Sequence, residues 1–166
     1  MIALVLGGAR SGKSVVAERL VGSLSTSVTY LATAGFDTVD REFAARIEQH
    51  RQRRPATWST VEAGSDLANQ LALTEGVVLV DSLGTWVAAH DDFAVDVDAL
   101  VDALARRQSD TVLVSEEVGL GVHPSTQLGG HFRDTLGLIN QRMADIADRV
   151  VLVVAGRILP LERSPW

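Results

Sequence analysis

The apolar positions of this chain fall into two rhythms that alternate from end to end. Short apolar runs at 2–6 (IALVL), 77–81 (VVLVD), 111–115 (TVLVS) and 150–154 (VVLVV), and the β-branched and aromatic stretch 27–33 (SVTYLAT), are too short for helices. They are rich in Val and Leu, the pattern of strands buried on both faces. Between them, apolar residues recur at helical spacing. Val16, Leu20 and Leu24 do so within 15–24, and Phe43, Ala44 and Ile47 within 41–54, where Asp40 offers an N-cap and Pro55 a stop. Further helices are predicted at 66–73, 83–89, 97–107 and 131–148. A short strand is expected at 58–62, and an edge strand at 158–161 after a turn at Gly156. The stretches 35–40, 90–98 and 119–130 read as polar or glycine-containing connections. Strands alternating with helices predict an α/β fold, a mostly parallel sheet with helices on both faces.

The first strand runs into Gly7, Gly8, Ala9, Arg10, Ser11, Gly12, Lys13 and Ser14, which match G-x-x-x-x-G-K-[ST]. Strand, glycine-rich turn and helix are the context this phosphate-binding loop requires. Backbone N–H groups and the helix N-terminus converge on phosphate oxygens, the lysine reaches the outer phosphates, and the serine hydroxyl can ligate Mg²⁺. Lys13 is the only lysine in the chain, every other basic side chain except the histidines being arginine. A compact ammonium suits a position between phosphates better than a planar guanidinium. The fold expected is thus a P-loop three-layer sandwich.

With 166 residues, one domain spanning 1–166 is expected. Zero cysteines exclude disulfides, thiolate metal sites and a cysteine nucleophile. No apolar run approaches the roughly 20 residues of a membrane span, and the N-terminal run lacks the flanks of a signal peptide. A cytoplasmic location is expected. The net charge of −6 argues against non-specific nucleic-acid binding.

In a parallel sheet ligands gather beyond the carboxyl ends of the strands. The glycine-rich loop, Thr33, Asp81, Glu116 and Glu117 all follow strand ends and should share one rim. Asp81 closes an apolar run, as a Walker B aspartate does beside a P-loop, and is the expected partner of Ser14 in holding Mg²⁺. Glu116 and Glu117 point opposite ways on an extended segment, and Glu117 is the stronger candidate of the two. A second constellation lies on 41–54. Arg46, His50 and Arg53 or Arg54 fall on one helical face, with Arg51 nearby, in an otherwise acidic chain. They read either as a solvated basic face or as a phosphate-directed one, in which a neutral imidazole attacks phosphorus and guanidiniums neutralise charge. His90, His123 and His131 form no i, i+4 pair, so a histidine metal site is not expected.

Five ordered blocks, GGARSGKS (7–14), AARIEQHRQRRPATW (44–58), LVDSLGTWV (79–87), SEEVGLGVHP (115–124) and HFRDTLGLINQRMADIADRVVLVVAG (131–156), closely resemble the bifunctional adenosylcobinamide kinase/adenosylcobinamide-phosphate guanylyltransferases of cobalamin biosynthesis. The resemblance implies two reactions. ATP or GTP phosphorylates the aminopropanol hydroxyl of adenosylcobinamide. GTP then donates GMP to that phosphate through a guanylylated histidine, giving adenosylcobinamide-GDP. The family histidine corresponds to His50, and the same block makes Arg51, Gln52, Arg53 and Arg54 nucleotide contacts. Thr33, Ala34, Gly35, Glu62 and Asp81 are implied contacts as well. The resemblance also implies a homo-oligomer, specifically a trimer.

The chain departs from the family pattern in places. Where some relatives have two adjacent histidines it has Gln49-His50, where DCLTLW is frequent it has Asp81 to Trp86 as DSLGTW, and the family's Asn-Glu-Val-Gly is Glu116-Glu117-Val118-Gly119. The segment 88–96 is shorter than in several relatives. These changes touch the side expected to take the acceptor more than the nucleotide side. Two other readings remain open at this level: a plain small-molecule kinase with no nucleotidyl intermediate, and a non-enzymatic GTP-sensing module. The absence of an Asn-Lys-x-Asp pattern, impossible with one lysine at Lys13, weighs against the latter.

Overall fold

The computed structural model describes residues 1–34 and 52–165. Its strands are β1 (Ile2–Gly7), β2 (Val28–Ala32), β3 (Ser59–Glu62), β4 (Val77–Asp81), β5 (Thr111–Glu116), β6 (Arg149–Val154) and β7 (Arg157–Leu161). They form one sheet in the order β3-β2-β4-β5-β1-β6-β7, parallel except for β7, which runs antiparallel to β6. The helices are α1 (Lys13–Leu24), α2 (Leu67–Leu73), α3 (Leu83–Ala88), α4 (Val97–Arg106) and α5 (Gln127–Ile146), with a 3₁₀ turn at Asp91–Phe93.

The continuous apolar runs are continuous because both faces of each central strand are covered. Alternate side chains of β1 and β5 divide between two cores. Ala3, Val5, Val112 and Val114 pack with Ala17 and Val21 of α1, while Leu4, Leu6 and Leu113 pack under α2, α3, α4 and α5. Leu4, Leu31, Leu79, Leu113 and Leu136 are wholly buried, each contributing roughly 1.5–3 kcal/mol of transfer free energy. The result is the three-layer α/β sandwich of a P-loop fold.

Two helices begin two or more residues before the pattern suggests. The last helix starts at Gln127, four residues before the predicted 131, because the Thr126 side chain accepts from the Gly129 N–H and caps the turn. Gly129 and Gly130, read as loop residues, lie inside its first turn. Helix α1 starts at Lys13, its entry made by Gly12 at φ +92°, a left-handed conformation that glycine tolerates. The predicted N-cap Asp40, most of the helix 41–54, Gly35 and His50 fall outside the described residues.

The amino ends of the strands are tied by charge. The Met1 ammonium pairs with Asp110 at 2.9 Å, and the Ile2 N–H donates to Asp148 at 2.7 Å. Arg107 donates from Nη1 to the Leu71 and Thr74 carbonyls, from Nη2 to Gly76 and from Nε to the Thr111 hydroxyl. The guanidinium thereby satisfies carbonyls left over at the end of α2 and fixes α2 to the start of β4 and β5. Burial lowers its pKa, yet it remains charged. Arg107→Ala should cost about 2–4 kcal/mol, since hydrogen bonds to a charged group are worth about 1.5–3 kcal/mol and the carbonyls stay partly buried. Urea unfolding should show a lower midpoint with unchanged slope, and Arg107→Lys should recover only part of the loss.

Candidate active site

At the carboxyl edge, β1 ends at Gly7 and the chain turns sharply to enter α1. The Ser11 N–H donates to the Gly8 carbonyl at 3.3 Å, and the Gly156 N–H to the Ser11 carbonyl at 2.8 Å. A Cβ on Gly7 would stand 2.9 Å from the Val153 carbonyl, so β6 and the loop approach as closely as they do only because residue 7 is glycine. Arg10 adopts φ +56° at the exposed crown of the loop. Lys13 folds back under it: its Nζ donates to the Gly8 carbonyl at 3.4 Å, its backbone N–H to Ser11 Oγ at 3.3 Å, and only 8% of the residue is exposed. Ser14 is half-buried on the first turn of α1.

Asp81 ends a central strand at the carboxyl edge, as expected, with one strand interposed between it and the strand that feeds the P-loop. Strand β5 stands between β1 and β4, so the residue paired with Gly7 is Glu116, while Asp81 pairs with Val114. Of the two glutamates, the one ranked second, Glu116, is the one that faces the loop lysine. Glu116 Oε1 lies 3.4 Å from Lys13 Nζ, whereas the Glu117 carboxylate turns away to accept from the Gly119 N–H at 2.6 Å. Both Glu116 oxygens accept from the Ser82 hydroxyl at 3.0 Å, and Oε2 accepts from the Gly84 N–H at 3.0 Å. The backbone carbonyl of Glu116 is held by Asn140 Nδ2, and Asn140 Oδ1 accepts from buried Ser115.

Asp81 faces the α1 side of the sheet. Its Oδ2 accepts from the Tyr30 hydroxyl at 2.9 Å, and the Arg54 guanidinium stacks over the Tyr30 ring at 3.3 Å from its centroid. Arg54 also donates to Thr60 at 3.0 Å, and Arg53 pairs with Glu18 of α1 at 3.4 Å. Gln52 is exposed at the start of this described segment. The two described arginines of the predicted basic helix are thus anchored on the face that carries α1. Glu62 ends β3 at the same edge of the sheet and is exposed.

Thr33 is fully buried and its hydroxyl is used internally. It donates at 2.6 Å to the Ser82 carbonyl, accepts from the Ser82 N–H, and shares a contact with Thr85 Oγ1. Ala34 follows, half-buried. Ser82 and Thr85 cap α3 reciprocally, a Ser-x-x-Thr box legible in the sequence but not weighed there. Tyr30 was missed because it reads only as a β-forming residue. Its signal is that it is the chain's one tyrosine, on the buried face of β2.

The chemistry of this edge is that of anion binding with charge neutralisation. Backbone N–H groups at a helix start and one buried ammonium suit a phosphate, and a carboxylate on the α1 face adds a hard oxygen donor at the same edge of the sheet. Among the described residues, no cluster of three or more His, Cys, Asp or Glu side chains could hold a metal by itself, and no helix is long and apolar enough to cross a membrane.

Residues 3–161 match the model of the family described as cobinamide kinase / cobinamide phosphate guanyltransferase. The chain belongs to that family. It is 40% identical over 178 residues to the bifunctional adenosylcobalamin biosynthesis protein CobU of Escherichia coli (strain K12), covering 94% of this chain and 97% of that one. It is likewise 40% identical over 171 residues to the bifunctional adenosylcobalamin biosynthesis protein CobP of Pseudomonas aeruginosa, covering 98% of each. Membership makes the chain an enzyme of a kinase and nucleotidyltransferase family of cobalamin biosynthesis. Among solved structures, the flagellar accessory protein FlaH from Methanocaldococcus jannaschii superposes with a TM-score of 0.50 over 95% of this chain and 74% of that one, at 16% identity, a likeness of fold.

Tyr30 gives a direct probe of this edge. Burial, and secondarily the adjacent Asp81 charge, raise its pKa, against the opposing effect of Arg54. The folded state therefore keeps the phenolic proton where the unfolded chain, titrating near about 10, has lost it. The stability this contributes is complete below about pH 10 and is lost as pH rises above it. Ultraviolet titration should show no phenolate in native protein up to the onset of alkaline unfolding, and a midpoint near about 10 in denaturant. A native midpoint near 10 would mean that the Tyr30–Asp81 contact is not kept in solution.

Proposed function

We propose that this chain phosphorylates the aminopropanol hydroxyl of adenosylcobinamide with ATP or GTP and then converts the product to adenosylcobinamide-GDP, both within one catalytic domain spanning 1–166. The observation that carries the reading is the sole lysine, buried beneath the glycine-rich loop at the carboxyl edge of the sheet. Gly7 to Ser14 hold the triphosphate. In the first step the hydroxyl oxygen bonds to the γ-phosphorus, the bond to the nucleoside diphosphate breaks, and the hydroxyl proton leaves. The protein's part is positioning and neutralisation of charge, with Lys13 as the catalytic cation.

Mg²⁺ is the metal that this edge fits. A hydroxyl at Ser14 and a carboxylate at Asp81 are hard oxygen donors, too few for a protein cage and suited to an ion that keeps waters and phosphate oxygens. When bound it would neutralise developing charge on the transferred group. Asp81→Asn keeps an acceptor for the Tyr30 hydroxyl while removing the anion. The expected result is activity that needs several-fold more Mg²⁺, and an unchanged Mg²⁺ dependence would remove Asp81 from the site.

In the second reaction a neutral His50 nitrogen attacks the α-phosphorus of GTP and pyrophosphate leaves. The phosphate of adenosylcobinamide phosphate then attacks the adduct, the P–N bond breaks, and the imidazole is regenerated. His50, Arg51 and Gly35 lie outside the described residues, and support for His50 comes from the RIEQHRQRRP block that the chain shares with its family resemblance. Arg53 and Arg54, anchored on the α1 face, agree with nucleotide contacts along that segment, to which Arg51 and Gln52 belong in this reading, with Ala34, Gly35 and Glu62 as further contacts. Thr33, buried with its hydroxyl held by Ser82 and Thr85, supports the site from beneath instead of touching nucleotide. His50→Ala should lose the acid-labile, alkali-stable label acquired from α-labelled GTP and all adenosylcobinamide-GDP formation. It should still phosphorylate adenosylcobinamide at a reduced rate. Retention of that label would pass the role to another histidine.

Self-association, as a trimer, completes the reading. The outer strand β7 exposes Ile158, Leu159 and Leu161 beside exposed Val154, an apolar edge that a second copy would cover.

A further inference from the structure

The catalytic groups of this edge sit on strands that do not touch. Lys13 opens α1 just after the loop that follows β1, Asp81 ends β4, and β5 runs between those two strands. Whatever keeps their spacing fixed must act at the end of β5, and the residue there is Glu116. Its Oε1 is 3.4 Å from Lys13 Nζ, and its two oxygens take the Ser82 hydroxyl and the Gly84 N–H of the turn that immediately follows Asp81. The Glu116 side chain is about a quarter exposed, at 28%, and that of Lys13 is 10% exposed, so the ion pair is shielded from solvent. The backbone of Glu116 is itself pinned, by Asn140 on its carbonyl and by pairing with Gly7.

We propose that Glu116 is a positioning residue for phosphoryl transfer, one carboxylate holding the phosphate-binding lysine on one side and the turn that carries Asp81 on the other. The inference rests on the roles given above to Lys13 and Asp81. It is particular to a carboxylate here. Asparagine, the residue of the resembling family pattern, is shorter by a methylene and uncharged, and it cannot supply the ion pair.

Gly84 makes the proposal testable from the opposite side. A Cβ at that position would collide with the Glu116 carboxylate, whereas its other near contact, Leu136 Cδ2 at 3.4 Å, is mild. The backbone of Gly84 lies in helix α3 and has no positive φ, so alanine is tolerated there except for this collision. The far end of the Glu116 side chain gives way most easily. Gly84→Ala therefore evicts the carboxylate while leaving residue 116 unchanged.

The experiment measures phosphorylation of adenosylcobinamide with γ-labelled nucleotide across a Mg²⁺ series, with thermal midpoints recorded in parallel. Glu116→Ala should lower kcat by about ten- to a hundredfold, the scale of a small misplacement of reacting groups, and raise the Mg²⁺ needed for half-maximal rate several-fold. Glu116→Gln should recover part of both losses. Its amide oxygen still accepts from Gly84, and its amide nitrogen can donate to Ser82. Gly84→Ala should reproduce the Glu116→Ala profile and add nothing further to it, because the two changes remove one interaction. Should Glu116→Ala not fold, the same comparison is made with Glu116→Gln, which should make no difference in the Gly84→Ala background. Wild-type kcat and Mg²⁺ dependence in Glu116→Ala, or losses from the two sites that multiply, would overturn the proposal. Lys13→Ala, run alongside, separates the two levels of the argument. If it retains turnover, the reading of the phosphate site fails. If it is inactive while Glu116→Ala is normal, only the role of Glu116 fails.

Discussion

One ammonium group organises the working edge of this protein. Lys13 is drawn under its own loop by the Gly8 carbonyl and by Glu116, with 8% of its surface left in contact with solvent. Two unit charges about 4 Å apart attract by about 4 kcal/mol at an effective dielectric of about 20, and desolvation of both ions offsets much of that. The pair is therefore poor as a source of stability and well suited to holding a cation where polyanions bind. The surrounding glycines serve the same end. Gly7 admits the close approach of β6, and Gly12 supplies the left-handed turn from which α1 starts.

The strand order turns this local arrangement into a site. Because β5 is interposed, the lysine and Asp81 are assembled from two sides of a third strand, and the end of that strand carries the connecting carboxylate. On the α1 face, Tyr30 joins Asp81 to Arg54 by a hydrogen bond and a stacked guanidinium. On the other face, Thr33, Ser82 and Thr85 close the start of α3 through short hydroxyl contacts. The turn after Asp81 is thus tied into the same hydrogen-bonded edge as the phosphate loop.

Much of this was legible in the chain. Runs such as 77–81 and 111–115 announced doubly covered strands, and GGARSGKS announced the loop, because the periods and spacings involved are local. Strand order is not local. Nothing in the composition of 111–116 says that it inserts between β1 and β4, so the strand that separates Asp81 from the loop was not legible. The two glutamates were not resolved for the same reason: alternation shows that they diverge, and only the third dimension shows that Glu116 is the one that meets Lys13. The start of α5 was missed because Gly129 and Gly130 are statistically loop residues, while the Thr126 cap outweighs them.

The sole lysine permits an unusually clean measurement. The chain has two aliphatic amines, Lys13 at the carboxyl edge and the Met1 ammonium, paired with Asp110 at the opposite edge. Limited acylation with an amine-specific reagent, quantified by peptide mass spectrometry, reads both in one sample. With Mg·GTP at about ten times its dissociation constant, labelling of Lys13 should slow by about tenfold, the protection expected from occupancy alone, while Met1 serves as the internal reference and reacts as before. Equal labelling of Lys13 with and without nucleotide would contradict the central claim that this ammonium lies in the phosphate site.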